Sequence, residues 1–286
     1  MKIFIGMIAY NEEWIIEASL RSVYDCVDKI IVINGGPHGP STDSTVKIAK
    51  SVGSKVKIVD GTFKSTKNHH FKKFQRQAYI DEMEKGENNW CILHDADELY
   101  GREDLERLVE YLKTADPKTM LFTPRVRQFF RDFQHIILGG EWQKSRAIGA
   151  FRLTKDVRQG LHNEVYVGKT LLNKAKPPIR IILTGVGYYH YGHTASFEKA
   201  TEKRKDYFHQ NHHQGIHVRV MRKVEGNRII GVLAADGSRQ SYKMNEWERY
   251  YKECWLPCWN LGIDWDYVKP YNGFHPEMEK FIKVDD

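Results

Sequence analysis

An α/β fold, with a mostly parallel sheet flanked by helices, is what this chain predicts, and three observations carry that expectation. Short apolar runs alternate with amphipathic segments through the N-terminal third, as strands wrapped by helices do. Each of the first four runs ends in a polar cluster, and in such sheets ligands bind beyond the carboxyl ends of the strands. The 286 residues, 41% hydrophobic and 28% charged, can bury a substantial core, and no apolar run approaches the ~20 residues of a membrane span.

Ile3–Ile8 reads as the first strand and Ala9-Tyr10-Asn11-Glu12-Glu13 as its polar exit, a segment too short and too quickly polar for a signal peptide. A helix is expected from Glu12 to Tyr24, where Trp14, Ile15, Ala18, Leu20 and Val23 form a broad apolar stripe. Asp28–Asn34 is the second strand. It feeds a loop rich in Gly, Pro and Ser (Gly35 to Asp43), then a helix over Thr45–Val52. Lys55–Val59 is the third strand and ends at Asp60-Gly61. A basic, His-containing loop (Lys64 to Lys73) and a helix over Phe74–Glu84 lead to the fourth strand, Trp90–Leu93.

That strand runs into His94-Asp95-Ala96-Asp97-Glu98, the stretch around which the chain is organised. Two aspartates one residue apart at a strand exit suit a Mn or Mg ion holding a diphosphate. Hard oxygen ligands take these cations, and the cation offsets phosphate charge that bare carboxylates would repel. The plainer reading is an acidic cap on the helix expected over Arg102–Lys113. The strand exits weigh more together than singly: Tyr10, Asn11 and Glu12, then Asn34, then Asp60, then Asp95 and Asp97.

Farther on, Thr119–Arg127 and Ile179–Leu183 read as strands. Phe129–Phe133 is aromatic and basic, suited to stacking on a sugar ring or to core packing. Glu198–Tyr207 reads as a Lys- and Arg-rich helix. His217–Val224 and Arg228–Ala234 read as a β-hairpin, and Asn245–Cys258 as an aromatic helix. Trp255, Trp259 and Trp265 would pin this C-terminal part onto the main body.

The net charge of +7 and pI near 9.0 favour a negatively charged partner. Lys118–Arg158 holds nine basic residues against three acidic ones, the mark of a phosphate-rich ligand, an anionic acceptor or a solvated face. The four cysteines, Cys26, Cys91, Cys254 and Cys258, make no disulfide framework, so a reducing cytoplasm is expected.

Ile5-Gly6-Met7-Ile8-Ala9-Tyr10-Asn11-Glu12-Glu13, then Val27–Asn34 with Ser41-Thr42-Asp43-Ser44-Thr45, then Leu93-His94-Asp95-Ala96-Asp97-Glu98, is similar to the family 2 glycosyltransferases, nucleotide-sugar-dependent enzymes of the GT-A fold. The likeness spans about residues 1–210. It departs where Gly35–Pro40 lengthens the turn after the second strand and Ser44 replaces the family's glycine. The resemblance implies a GT-A catalytic domain over 1–212 with a smaller appendage over 213–286.

It also implies roles. The backbone near Ala9, Tyr10 and Asn11, with Asn34 and Asp60, would hold the nucleobase and ribose. Arg76 stands where such enzymes carry a basic residue near the donor. Asp95 would contact ribose or metal-bound water, and Asp97 would ligate the cation. His190, ahead of His193 in Tyr189-His190-Tyr191-Gly192-His193, would complete the metal site. Ala150-Phe151-Arg152-Leu153 and Gly160-Leu161-His162-Asn163-Glu164 resemble a second family block, with Asn163 inserted between His162 and Glu164. Glu164, or else His162, would take the proton of the acceptor hydroxyl in an inverting transfer.

The donor implied is a nucleotide sugar, foremost a UDP-sugar. For the acceptor, a cell-envelope saccharide or lipid-linked glycan, its anionic headgroups meeting the basic face of a cytoplasmic, peripheral enzyme, competes with DNA carrying a hydroxymethylated base. A non-catalytic basic binding module on the same scaffold is the rival from outside the enzymes. A nucleotidyltransferase ranks last, because its Gly-x-Gly-Thr-Arg loop is missing after the first strand.

Overall fold

The structure, a computed structural model, describes residues 1–36, 39–61, 71–130, 132–137, 149–160, 164–192, 194, 220–225, 228–234, 255–257 and 268–271. β1 (Ile3–Ala9), β2 (Lys29–Asn34), β3 (Val56–Asp60) and β4 (Trp90–Leu93) lie side by side in the order β3-β2-β1-β4, each pair parallel. Side chains alternate across such strands. Ile3, Ile5, Met7 and Ala9 accordingly pack with α1 (Ile16–Tyr24) and α2 (Thr45–Val52) on one face. Phe4, Ile31 and Ile33 pack with Tyr79 and Ile80 of α3 (Phe71–Asp81) on the other. Each fully buried Ile or Leu in these layers stabilises the fold by about 1.5–3 kcal/mol.

Beyond β4 the sheet becomes mixed. The short strand β5 (Glu98–Tyr100) and α4 (Arg102–Lys113) come next, then β6 (Leu121–Phe130), β7 (Asp132–Ile137) and β8 (Ala150–Arg152). β8 lies antiparallel between β4 and β6. A separate antiparallel sheet holds β9 (Val157–Gln159), β10 (Val165–Val167) and β11 (Thr170–Leu171). β12 (Arg180–His190) returns parallel to β6 and antiparallel to β5, so its last residue pairs with Glu98 beside the acidic exit of β4.

Several boundaries differ from those expected. The helix expected from Glu12 begins at Ile16, because residues 11–15 are held in a turn. Asn11 takes a φ of 53°, Glu12 N–H donates to Thr45 Oγ1 at 2.7 Å, and Ile15 and Ile16 N–H both donate to Glu12 O. The helix expected over Phe74–Glu84 starts and ends one turn earlier, its exit closed by Met83 N–H donating to Ile80 O at 3.2 Å. Ile179–Leu183 and Tyr188–His190 belong to one strand, β12, whose register shifts between Ile182 and Gly187 where Thr184 and Gly185 turn outward.

In the C-terminal part, β13 (Val220–Glu225) and β14 (Arg228–Ala234) form the expected antiparallel hairpin. The helix expected over Asn245–Cys258 is corrected at its end. Trp255–Pro257 is a strand, β15, whose backbone pairs antiparallel with β13. β16 (Val268–Pro270) adds to the main sheet along β7. The helix expected over Glu198–Tyr207, Trp259, Trp265 and His193 lie outside the described residues. Among the described residues no helix is long and apolar enough to cross a membrane.

Candidate active site

The exits of β1, β2 and β3 converge on the segment 39–45. Asn34, the last residue of β2 and 3% exposed, accepts Ser41 N–H on Oδ1 at 3.2 Å and donates from Nδ2 to Asp60 Oδ1 at 3.3 Å. Asn11 receives Thr42 N–H on Oδ1 at 2.9 Å and gives its own N–H to Ser41 Oγ at 3.1 Å. Its left-handed backbone is a conformation asparagine tolerates better than most residues. Ala9 O accepts Gly35 N–H at 2.9 Å, and the Tyr10 ring lies so close over Gly36 that a Cβ there would stand 2.6 Å from it. The five residues expected at a nucleoside therefore do gather. Asn11 and Asn34 shape the loop after β2, and Asp60 is the exposed carboxylate of the group.

At the exit of β4, Asp95 is gripped by Arg76, whose Nη2 lies 3.0 and 3.2 Å from the two carboxylate oxygens. Arg76 is 2% exposed. Burial pulls its pKa down, but Asp95, Tyr79 and Glu98 outweigh burial and leave it above the usual guanidinium range. Glu98 is equally enclosed. Its Oε2 accepts Asp95 N–H at 3.0 Å, and burial, then the Asp95 charge, hold its carboxyl well above the usual range. His94, behind the rim, shares a 2.9 Å hydrogen bond with Ser19 Oγ and stacks on Tyr100. Burial lowers its pKa to about 4, so the imidazole is neutral.

Asp97 faces the end of β12. Its Oδ1 is 3.6 Å from His190 Nε2, and its carbonyl accepts Tyr191 N–H at 2.8 Å. A Cβ at Gly192 would lie 2.5 Å from Asp97 Oδ2 and 3.1 Å from His190 Nε2, so glycine keeps this space open. A carboxylate and an imidazole set face to face beside a side-chain-free position fit a divalent cation. Asp95, turned onto Arg76, does not join them: among the described residues no three His, Cys, Asp or Glu side chains gather at metal-holding distance. Were Asp97 and His190 to hold a cation, water and ligand oxygens would have to supply its other contacts, as they do for Mg bound with phosphates.

Glu164 stands at the start of β10, half-buried. Tyr166 donates to its Oε2 at 3.3 Å, and the Arg158 guanidinium lies 4.3 Å over the Tyr166 ring. His162 lies outside the described residues. Glu98, Tyr188 (which hydrogen-bonds Glu98) and Gly192 are site residues that the sequence pattern did not single out. Glu98 carried a signal in the acidic run itself, whereas Gly192 matters only once β12 is known to return beside β4.

Strand exits that converge around a clamped loop, an acidic rim and an opposed Asp–His pair are laid out as in an α/β fold of the GT-A kind. Residues 4–176, more than half of the chain, match the family described as Glycosyl transferase family 2, and the chain belongs to that family of glycosyltransferase enzymes. No curated protein matches the sequence.

Solved structures resemble the chain at low identity. Glucosyl-3-phosphoglycerate synthase from Mycobacterium tuberculosis, in complex with Mn2+, UDP and phosphoglyceric acid, is 15% identical over 82% of this chain and 86% of its own, with a TM-score of 0.44. The same synthase with Mn2+, UDP-glucose and phosphoglyceric acid is 22% identical, with 44% of each chain covered and a TM-score of 0.34. S. aureus TarS 1-349 is 13% identical over 74% of this chain and 64% of its own, with a TM-score of 0.46. In the second and third of these pairings the chain spans less than two thirds of the neighbour's length.

Proposed function

We propose that the protein transfers a sugar from a UDP-sugar to a hydroxyl acceptor with inversion, aided by Mn or Mg. The observation that carries this reading is the opposed pair Asp97 Oδ1 and His190 Nε2, 3.6 Å apart at the rim shared by β4 and β12. These two side chains would hold the cation, which when bound stabilises charge on the departing diphosphate. Asp60 and Asn34 would meet the nucleoside. Asp95, oriented by Arg76, would meet ribose or a metal-bound water. Glu164 would accept the proton of the attacking hydroxyl, with His162 as the alternative.

For the acceptor, a saccharide or lipid-linked glycan is favoured over DNA by the fate of the basic stretch. Arg127 pairs with Asp104 at 2.8 Å, Arg152 is 4% exposed, and Arg158 covers a tyrosine ring. Three of the nine basic residues are thus engaged within the protein rather than aligned for phosphates.

Thermal shift with UDP-glucose, the donor bound by the M. tuberculosis synthase, tests the donor and the metal together, with GDP- and TDP-sugars as controls. UDP-glucose with Mn is expected to raise Tm, by the equivalent of about 2.7 kcal/mol at a hundred times Kd, and much less without metal. A rise indifferent to metal, or none with any sugar nucleotide, would overturn the reading in favour of a binding module. Glu164→Gln is expected to keep that metal-dependent rise while turnover falls by roughly 10²–10⁴-fold. Undiminished turnover would move the base to another group.

A further inference from the structure

Three consecutive residues of α3 reach three separate parts of the site. Gln75 Nε2 donates to Gly35 O after β2. Arg76 holds Asp95 after β4. Gln77 Oε1 accepts Gln159 N–H of β9 at 2.8 Å, while its Nε2 donates to Asp81 Oδ1 at 2.7 Å and so fixes which way the amide faces.

Gln159 is paired with Val165 in the β9–β10 ribbon, and both N–H groups of this pair point out of the ladder. Gln77 takes one; Asn173 Oδ1 takes the other, from Val165, at 3.0 Å. The next pair closes the ribbon, with Gly160 N–H donating to Glu164 O at 2.7 Å. A Cβ at Gly160 would stand 2.8 Å from Glu164 Oε2, so this carboxylate lies directly against the end of the ribbon that the two amides anchor.

We propose that Gln77 is a positioning residue: through Gln159 it locks the ribbon carrying Glu164 to the helix that orients Asp95, and so sets the base against the donor. This rests on Glu164 being the base. A base works only within hydrogen-bond reach of its proton, and a misplacement of about 1 Å costs as much as 100-fold in rate.

Hydrolysis of UDP-glucose in the presence of Mn reads this with water as acceptor. The water oxygen bonds the anomeric carbon, the bond from that carbon to the diphosphate oxygen breaks, Glu164 takes the water proton, and UDP leaves. Gln77→Met keeps the length of the side chain and loses the acceptor. It is expected to lower kcat roughly 10- to 100-fold while KM for UDP-glucose and the metal-dependent Tm rise stay within about twofold. Gln77→Glu keeps an acceptor oxygen for Gln159 N–H but sets a second carboxylate against Asp81, so it is paired with Asp81→Asn, whose amide can donate to it. The double variant is expected to retain most of kcat.

A kcat for Gln77→Met within twofold of the parent overturns the proposal, as does a parallel loss of donor binding or a Gln77→Glu/Asp81→Asn double variant as impaired as Gln77→Met. Should Gln77→Met fail to fold, Asn173→Leu frees the other N–H of the same pair. It is expected to lower kcat alone, and an unchanged kcat there overturns the proposal equally. Glu164→Gln run alongside separates the two failures. If it loses turnover while Gln77→Met does not, only the positioning role falls. If it keeps turnover, the base assignment falls.

Discussion

Asp97→Ala is expected to abolish the Mn-dependent rise in Tm given by UDP-glucose and to lower turnover by about 10³-fold, the scale seen when one electrostatic contact to developing charge is removed. The same variant without ligand is expected to be as stable as the parent or slightly more so. Asp95, Asp97 and Glu98 crowd three carboxyl groups onto one rim, with the Arg76 guanidinium against Asp95 and Glu98 pushed well above the usual carboxylate range by burial and its acidic neighbours. Removing one of them relieves part of that crowding, the usual trade between function and stability. Thermal shift with and without Mn, then with UDP-glucose added, reads both effects in one series. An undiminished metal-dependent shift in Asp97→Ala would remove Asp97 from the metal site and the proposed function with it.

The parallel half of the sheet was legible because β1, β2 and β4 are short, almost wholly apolar runs with a polar residue at each exit. Those exits, with that of β3, mark Tyr10, Asn11, Asn34, Asp60, Asp95 and Asp97 as candidates, and the resemblance supplies their nucleoside and metal roles. The chain beyond β4 was harder to read, because strands such as Ala150–Arg152 and Glu98–Tyr100 are three residues long, too short for a period to show. α1 starts later than its apolar pattern for a different reason. Glu12 and Trp14 continue a helical pattern, but a tertiary hydrogen bond from Glu12 N–H to Thr45 holds the turn open. The pairing of His190 with Asp97 depends on β12 returning between β5 and β6, a long-range event that no local pattern encodes. The resemblance alone pointed to it.

Arg152 shows how a residue within a family-like block can serve the fold rather than the chemistry. Its guanidinium lies 4.5 Å over the Trp90 ring, donates from Nε to Thr119 O at 2.6 Å and from Nη1 to Glu87 O at 2.6 Å, and from Nη2 to Asp116 O at 2.9 Å and Ala115 O at 3.3 Å. One side chain thus satisfies carbonyls just beyond α4, before β4 and before β6, and ties them to β8. Arg152→Ala strips all of these at once, and hydrogen bonds to a charged donor contribute about 1.5–3 kcal/mol each when the acceptors cannot reach water. Water will reach some of the freed carbonyls, so a loss of about 3 kcal/mol is expected, a fall in Tm of roughly 6–12 °C for a chain of this size. Arg152→Lys should recover only a part, because an ammonium is a point donor that cannot span the same fork of carbonyls. The metal-dependent increment in Tm with UDP-glucose should survive in both variants, since none of these contacts involves Asp97, His190 or Asp95. Denaturant melts that place Arg152→Ala within about 1 kcal/mol of the parent, or a donor response lost while the fold is intact, would point to a role for Arg152 in the active site instead.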